Sequence, residues 1–212
     1  LGHYLLAPAG KGRFLYLYMM MDIYSRKVVA WQVHDSESDE LAADLITEAC
    51  FLERIEKKQI VLHSDNGSPM KGATMLAKLQ ELGVTPSFSR PSVSDDNPYS
   101  ESLFHTFKYR PEYPEHPFVD LADARSWTEA FVDWYNNRHL HSGACFITPA
   151  DRHSGKERDI LLNRHRVYQE ARRMRPERWG GDTRNWEPVE KVVLNRTKRK
   201  KEHGDAVVDV AA

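Results

Sequence analysis

Covalent staples and membrane anchors are the first things this sequence lacks. It has two cysteines in 212 residues, Cys50 and Cys145, far apart and outside any CxxC or metal-ligand spacing. That argues against a disulfide framework and a cysteine-built zinc site; buried thiols in a reducing compartment, the cytoplasm, are the expectation. No apolar run approaches the ~18 residues that a membrane span needs. A basic-then-apolar leader is missing too, and the sequence opens on Leu1 instead of Met, which predicts further residues upstream. No internal repeat is visible. An excess of one charge is also absent, with 30 Lys and Arg against 31 Asp and Glu.

That balance conceals an asymmetry. Between Arg152 and Lys201 there are 16 Lys and Arg against 7 Asp and Glu, so the rest of the chain carries 14 against 24. Basic segments attract polyanions, while an acidic body can hold cations. A solvated basic helix would give the same count, so charge alone does not decide. The hydrophobic content of 41% suits a globular chain with a true core. The length suits one domain with an extension.

Hydrophobic patterning predicts the elements in order. Arg13 to Met21 reads as a central strand, and Lys27 to His34 as its hairpin partner across the turn that starts at Asp22. Ser36 to Lys57 reads as a helix capped by Ser38, with an apolar stripe of Leu41, Leu45, Ile46, Ala49 and Leu52. A strand from Ile60 to His63 leads to Asp65. A helix carrying Met75, Leu76, Leu79 and Leu82 stops at Gly83, and Val84 to Ser89 forms another strand. Arg90 to Asn97 is a mobile loop by composition. Pro98 suits a first helical position, with Asn97 as the cap. Helices are expected over Leu121 to Arg138, from Thr148, and over Lys156 to Arg175. An extended Trp186 to Asn195 follows, then a disordered tail. Strands interleaved with helices indicate a mixed sheet flanked by helices.

The stretch from Val61 to Lys108 carries the chemistry. Asp65 ends a strand, and Glu101 falls in the first turn of a helix, with 35 residues between them. Lys108 stands seven positions further, roughly 20° off the same helix face at ~100° per residue. Carboxylates with a cation on one line suit a metal site that handles phosphates. Each residue also has a plainer explanation. Asp65-Asn66-Gly67 makes an ordinary turn, Glu101 an ordinary first-turn acid, and Lys108 a solvated helix residue.

The flanks decide between them. The runs Asp22-Ile-Tyr-Ser-Arg-Lys-Val-Val, Leu62-His-Ser-Asp-Asn-Gly-Ser, Ser94-Asp-Asp-Asn-Pro-Tyr-Ser-Glu, Asp133-Trp-Tyr-Asn-Asn and Thr148-Pro-Ala resemble the integrase catalytic core of bacterial insertion-sequence transposases. These are the second-reading-frame type, related to retroviral integrases, and the resemblance covers roughly residues 4 to 195. It implies an α/β, ribonuclease-H-like mixed sheet flanked by helices, with a truncated first strand and a basic helical C-terminal extension. The expected divisions are 1–151 for the core, 152–195 for the extension and 196–212 for the tail. The resemblance also implies a DDE mechanism, in which two Asp and one Glu hold two Mg²⁺ ions, or Mn²⁺ in their place. Asp65 and Glu101 are then catalytic and metal-binding. Lys108 and Arg138 become DNA contacts. The partners implied are transposon-end and target DNA, further copies of the chain, and a separate DNA-binding protein from the first reading frame.

Several neighbours receive secondary roles. His63 is expected to pack beside the site in preference to ligating, and His105 lies near the centre. Trp134, Tyr135 and Asn136 are expected mainly to pack. The helix Arg152 to Arg178 and the Lys198-Arg-Lys-Lys run are candidate DNA-backbone contacts.

One element of the family pattern is not matched. The first catalytic Asp normally lies in a Trp-x-Asp-x-Thr-like strand just ahead of Tyr4-Leu5, and no Asp precedes Asp22 here. Asp22 itself matches the Asp of the family's hairpin turn, which is not a ligand. With one carboxylate missing, the expectation is a transposase core with impaired strand transfer. Two other outcomes fit the same residues: a non-catalytic DNA-binding or assembly module, and a metal-dependent nuclease that never joins ends.

Overall fold

The computed structural model describes residues 1–6, 14–90 and 96–194. Among them the chain forms two compact units, one built on residues 1–21, 29–129 and 193 onward, the other on residues 22–28 and 130–192.

In the first unit, β1 (Gly2–Leu6) pairs antiparallel with β2 (Leu15–Met21), Gly2 opposite Met19 and Leu6 opposite Leu15, and β3 (Val28–His34) lies on the far side of β2. The alternating pattern does not mark β1, which is five residues long; only the family resemblance implied a first strand here, and a truncated one. The helix α1 (Asp39–Leu52) starts where Ser38 Oγ accepts the Leu41 N–H at 3.2 Å, as expected of its cap. Its buried face is Ala42, Ala43, Leu45, Ile46, Ala49 and Cys50. Leu52 is the exception to the expected stripe, 57% exposed in the last turn, where the chain leaves the core.

β4 (Val61–Ser64) pairs in parallel with β5 (Thr85–Phe88), joined through the short α2 (Ser68–Lys71) and α3 (Ala73–Leu82). α3 stops at Gly83, whose φ of +70° is the left-handed conformation that ends helices and that glycine adopts without strain. Asp39 of α1 accepts the Thr74 N–H at 3.0 Å, which caps α3 from a neighbouring helix. Tyr18, Met20, Leu45, Ile46, Leu62, Met75 and Leu79 fill the core between them.

α4 (Pro98–Tyr109) and the first half of α5 (Leu121–Asn137) share an aromatic cluster. Tyr4 of β1 stacks on Phe104 at 5.4 Å; Phe107, Tyr113, Phe118 and Trp127 meet edge-on at 5.7 to 6.3 Å. Phe107 is fully buried. This cluster fixes α4 against β1.

In the second unit, α6 (Pro149–His153) is capped by Thr148 and followed by α7 (Glu157–Met174). The Asn136 amide pairs with both backbone groups of Val28, at 2.9 and 3.0 Å, acting as a piece of neighbouring strand. Ile147, Leu161 and Trp186 form a small core. Two of the guanidiniums read as DNA contacts are spent internally. Arg152 is buried against Glu157, and Arg164 donates to the carbonyls of Cys145 and Phe146 at 2.6 and 2.8 Å. Both of those residues have positive φ, so their carbonyls point away from ordinary backbone partners. Cys145 is half-buried, so only Cys50 matches the expected buried thiol.

His141 makes this unit sensitive to acid. Burial, helped by His139, Arg26 and Arg152, pulls its imidazole down to about 4. The unfolded chain binds that proton near pH ~6.5, so folding stability is lost as pH falls from there towards 4. We expect the melting temperature to drop between pH 7 and pH 5, and His141→Leu to flatten that part of the profile.

Candidate active site

Asp65 follows β4 directly and is half-buried. Its Oδ1 accepts the Gly67 N–H at 2.9 Å, so the tight turn read from Asn66-Gly67 is present alongside any other role. Asn66 ties the turn to β5 by donating to Ser89 O at 2.8 Å. Glu101 lies exposed in the first turn of α4, its N–H bonded to Asn97 O at 3.2 Å. Asn97 holds the cap position, but its side chain makes no capping bond. It donates instead to Leu1 O at 3.4 Å.

The start of β1 connects these two segments. The Leu1 nitrogen donates to His63 O at 2.8 Å, which sets β1 beside β4. On the other side, Gly2 packs against α4 so closely that a Cβ would come within 2.7 Å of the Phe104 ring and 3.1 Å of Ser100 Cβ. The entry to β1 therefore touches the strand that ends at Asp65 and the helical turn that carries Glu101. Among the described residues no group of three His, Cys, Asp or Glu side chains is placed to hold a metal. Carboxylates suit a hard divalent cation that keeps several waters, as Mg²⁺ does.

The remaining candidates fall in different places. Lys108 is exposed in the last turn of α4, roughly 10 Å along the axis from Glu101. Its Nζ sits 5.4 Å from the Tyr109 ring centre. His105 is exposed between them and lies 4.5 Å from the same ring. Arg138 belongs to the second unit, where it meets Asp133 at 3.3 Å and is 72% exposed. Asp22 is also in that unit. Its carboxylate accepts the Ser25 hydroxyl and N–H and the Tyr24 N–H at 2.5 to 3.2 Å, and it faces His153 at 3.4 Å. Burial pushes Asp22 up, yet these hydrogen bonds together hold it below the ordinary carboxylate range. It anchors the hairpin turn. The Lys198 run lies outside the described residues.

His63 is fully engaged. Its Nδ1 meets Ser87 Oγ and its Nε2 meets Asp96 O, both at 3.0 Å. Burial lowers its pKa. Composition alone had made residues 90–97 a loop. Its two described ends are in fact clamped, with Arg90 donating three N–H groups to the Asp96 carboxylate at 2.7 to 2.8 Å.

A three-stranded antiparallel sheet and a parallel pair of strands, flanked by helices, with acidic residues at a strand end and a helix start on either side of β1, form a ribonuclease-H-like core. Two models described as integrase core domain match residues 5–94 and 82–149. The chain belongs to the integrase core family and resembles the insertion-sequence transposases within it. It is 30% identical over 152 residues to the transposase for insertion sequence element IS904 of Lactococcus lactis subsp. lactis (strain IL1403), covering 71% of this chain and 59% of that one. It is 25% identical over 142 residues to a putative transposase for IS986/IS6110 of Mycobacterium tuberculosis (strain ATCC 25618 / H37Rv), covering 65% and 51%. The chain thus spans little more than half the length of these curated relatives. In three dimensions it is similar to a chain of the simian T-cell lymphotropic virus intasome, with a TM-score of 0.55 at 14% identity, covering 71% of this chain and 52% of that one. Among the described residues no helix is long and apolar enough to cross a membrane.

Proposed function

We propose that this chain is the catalytic core of a DDE transposase, which cuts and joins DNA during transposition. The observation that carries it is the entry of β1, bonded to His63 beside Asp65 and packed on Ser100 beside Glu101. Asp65 and Glu101 would hold the divalent ions, whose part is to activate the attacking oxygen and neutralise the leaving one. In cleavage, a water oxygen forms a bond to phosphorus as the bond to the 3′-oxygen breaks. In joining, a DNA 3′-hydroxyl gives up its proton and attacks a target-strand phosphorus, and the bond from that phosphorus to the target's 3′-oxygen breaks, freeing a target 3′-hydroxyl. Lys108 is a mobile point charge suited to a non-bridging phosphate oxygen. Arg138 is an exposed cation suited to the DNA backbone. Further copies of the chain and a separate first-frame DNA-binding protein complete the proposed assembly, which acts on DNA in the bacterial cytoplasm.

These 212 residues supply two of the three carboxylates, so little strand transfer is expected from them alone. A second reading, a DNA-binding or assembly module without chemistry, is favoured by the lack of a three-ligand group among the described residues. A labelled-oligonucleotide assay with Mg²⁺ or Mn²⁺ separates the possibilities. The proposal expects salt-sensitive DNA binding with at most trace joining. It expects full joining once an in-frame strand bearing Trp-x-Asp-x-Thr, read from the DNA upstream of Leu1, is attached. Binding without cleavage in that longer chain would select the second reading, and cleavage that never leads to joining would indicate a nuclease. Robust joining by the 212 residues that survives Asp22→Asn would show the carboxylate assignment to be incomplete.

A further inference from the structure

We infer that Arg90, Asp96 and His63 form a latch that fixes the first turn of α4 against the end of β4, and so sets the spacing of Asp65 and Glu101. This inference rests on the metal-site assignment proposed above. It gives a positioning role to three residues, of which the sequence had placed only His63 beside the site.

The geometry runs in two directions from Asp96. Its carboxylate is 4% exposed and accepts the Arg90 backbone N–H at 2.7 Å, the Nε–H at 2.8 Å and the Nη2–H at 2.7 Å. A buried carboxylate with a forked guanidinium and a backbone donor is a rigid pairing. Those bonds hold Asp96 well below the usual carboxylate range. Its backbone carbonyl faces the other way, to His63 Nε2 at 3.0 Å. A carbonyl can only accept, so Nε2 carries the proton and Nδ1 is left to accept from the Ser87 hydroxyl on β5.

The position of this latch in the chain makes it more than a loop staple. His63 stands two residues before Asp65 on β4, and Asp96 stands one residue before the Asn97 cap of the helix that carries Glu101. Through the chain the two carboxylates are separated by 35 residues. Through the latch, a single imidazole-to-carbonyl bond links their segments. A divalent ion such as Mg²⁺ tolerates only small departures from its ~2.1 Å bonds, so a loose helix start would be felt as weaker metal binding. Arg90, with 70% of its side chain exposed, reinforces Asp96 from the solvent side.

The test is a Mn²⁺ titration of the full 212-residue chain, following the EPR signal of the free ion, with thermal melting recorded in parallel. Arg90→Ala, Asp96→Asn and His63→Phe should each weaken Mn²⁺ binding by about tenfold, the lower end for residues that orient metal ligands. His63→Gln, whose amide can still donate to Asp96 O, should return to within about twofold of the parent chain. Ile147→Val, a core change in the other unit, should lower stability and leave Mn²⁺ binding alone. If Asp96→Asn does not fold, Arg90→Ala carries the test, because its side chain is mostly in solvent. Parental affinity in Arg90→Ala and His63→Phe, with Glu101→Gln still impaired, would overturn the latch and leave the metal site standing. Parental affinity in Glu101→Gln would remove the metal site, and the latch with it.

Discussion

Glu101→Gln is expected to weaken Mn²⁺ binding by more than tenfold while shifting the melting temperature by no more than about 4 °C. The two halves of that expectation have separate causes. A divalent ion about 4 Å from one carboxylate gains roughly 2 kcal/mol even at the permittivity of water, and more where water is partly excluded. Since about 1.4 kcal/mol is a factor of ten, a tenfold loss is a lower bound. The fold, by contrast, asks little of this side chain. Glu101 is exposed, and as a first-turn acid it contributes about 0.3–1 kcal/mol through the helix dipole. Asp65→Asn should behave in the same way, because an amide oxygen can still accept the Gly67 N–H that closes the turn. An unchanged Mn²⁺ affinity in both variants would reduce the two residues to a turn and a helix start.

The largest expected loss of stability lies in the second unit. Arg152 Nε and Glu157 Oε1 are 3.3 Å apart, with side chains 1% and 6% exposed. Other atoms of each group are engaged as well. Arg152 donates to Val189 O at 2.7 Å and lies 4.3 Å from the centre of the Tyr24 ring, whose hydroxyl donates to Glu157 Oε2 at 3.0 Å. Arg152→Met would strand a buried carboxylate, which costs about 3–5 kcal/mol. For a chain of this size that is a fall in melting temperature of roughly 6–20 °C. The pair itself need not be worth that much, because both charges were desolvated to form it. Arg152→Met combined with Glu157→Leu should therefore recover most of the loss. Thermal or urea unfolding of the three variants decides it, and a single variant within about 1 kcal/mol of the parent would contradict the buried-pair account.

Much of the local structure was legible in the sequence. Ser38, Thr148, Pro98 and Gly83 mark their helix ends through bonds and dihedral limits that involve only nearby residues, and helix ends fall at each. Apolar spacing similarly located most of the buried face of α1. The family resemblance was legible too, because it rests on short runs at set separations, and it directed attention to Asp65 and Glu101.

Side-chain partners were not legible. Asn97 has the right residue type and position for a cap, yet its amide goes to Leu1, 96 positions away. Arg152 and Arg164 count as basic residues in any composition, but packing turned one into a buried ion and the other into a support for two carbonyls. Nothing in the polar stretch after Ser89 announced that Arg90 and Asp96 would pair, or that His63 would bond to the same residue. The sequence by itself determined most of the helices and strands and singled out the two carboxylates, since those depend on neighbours along the chain. Tertiary structure alone decided that β1 would stand between them and which cations are spent inside the fold, because hydrogen bonds and burial are settled by groups that meet only after folding.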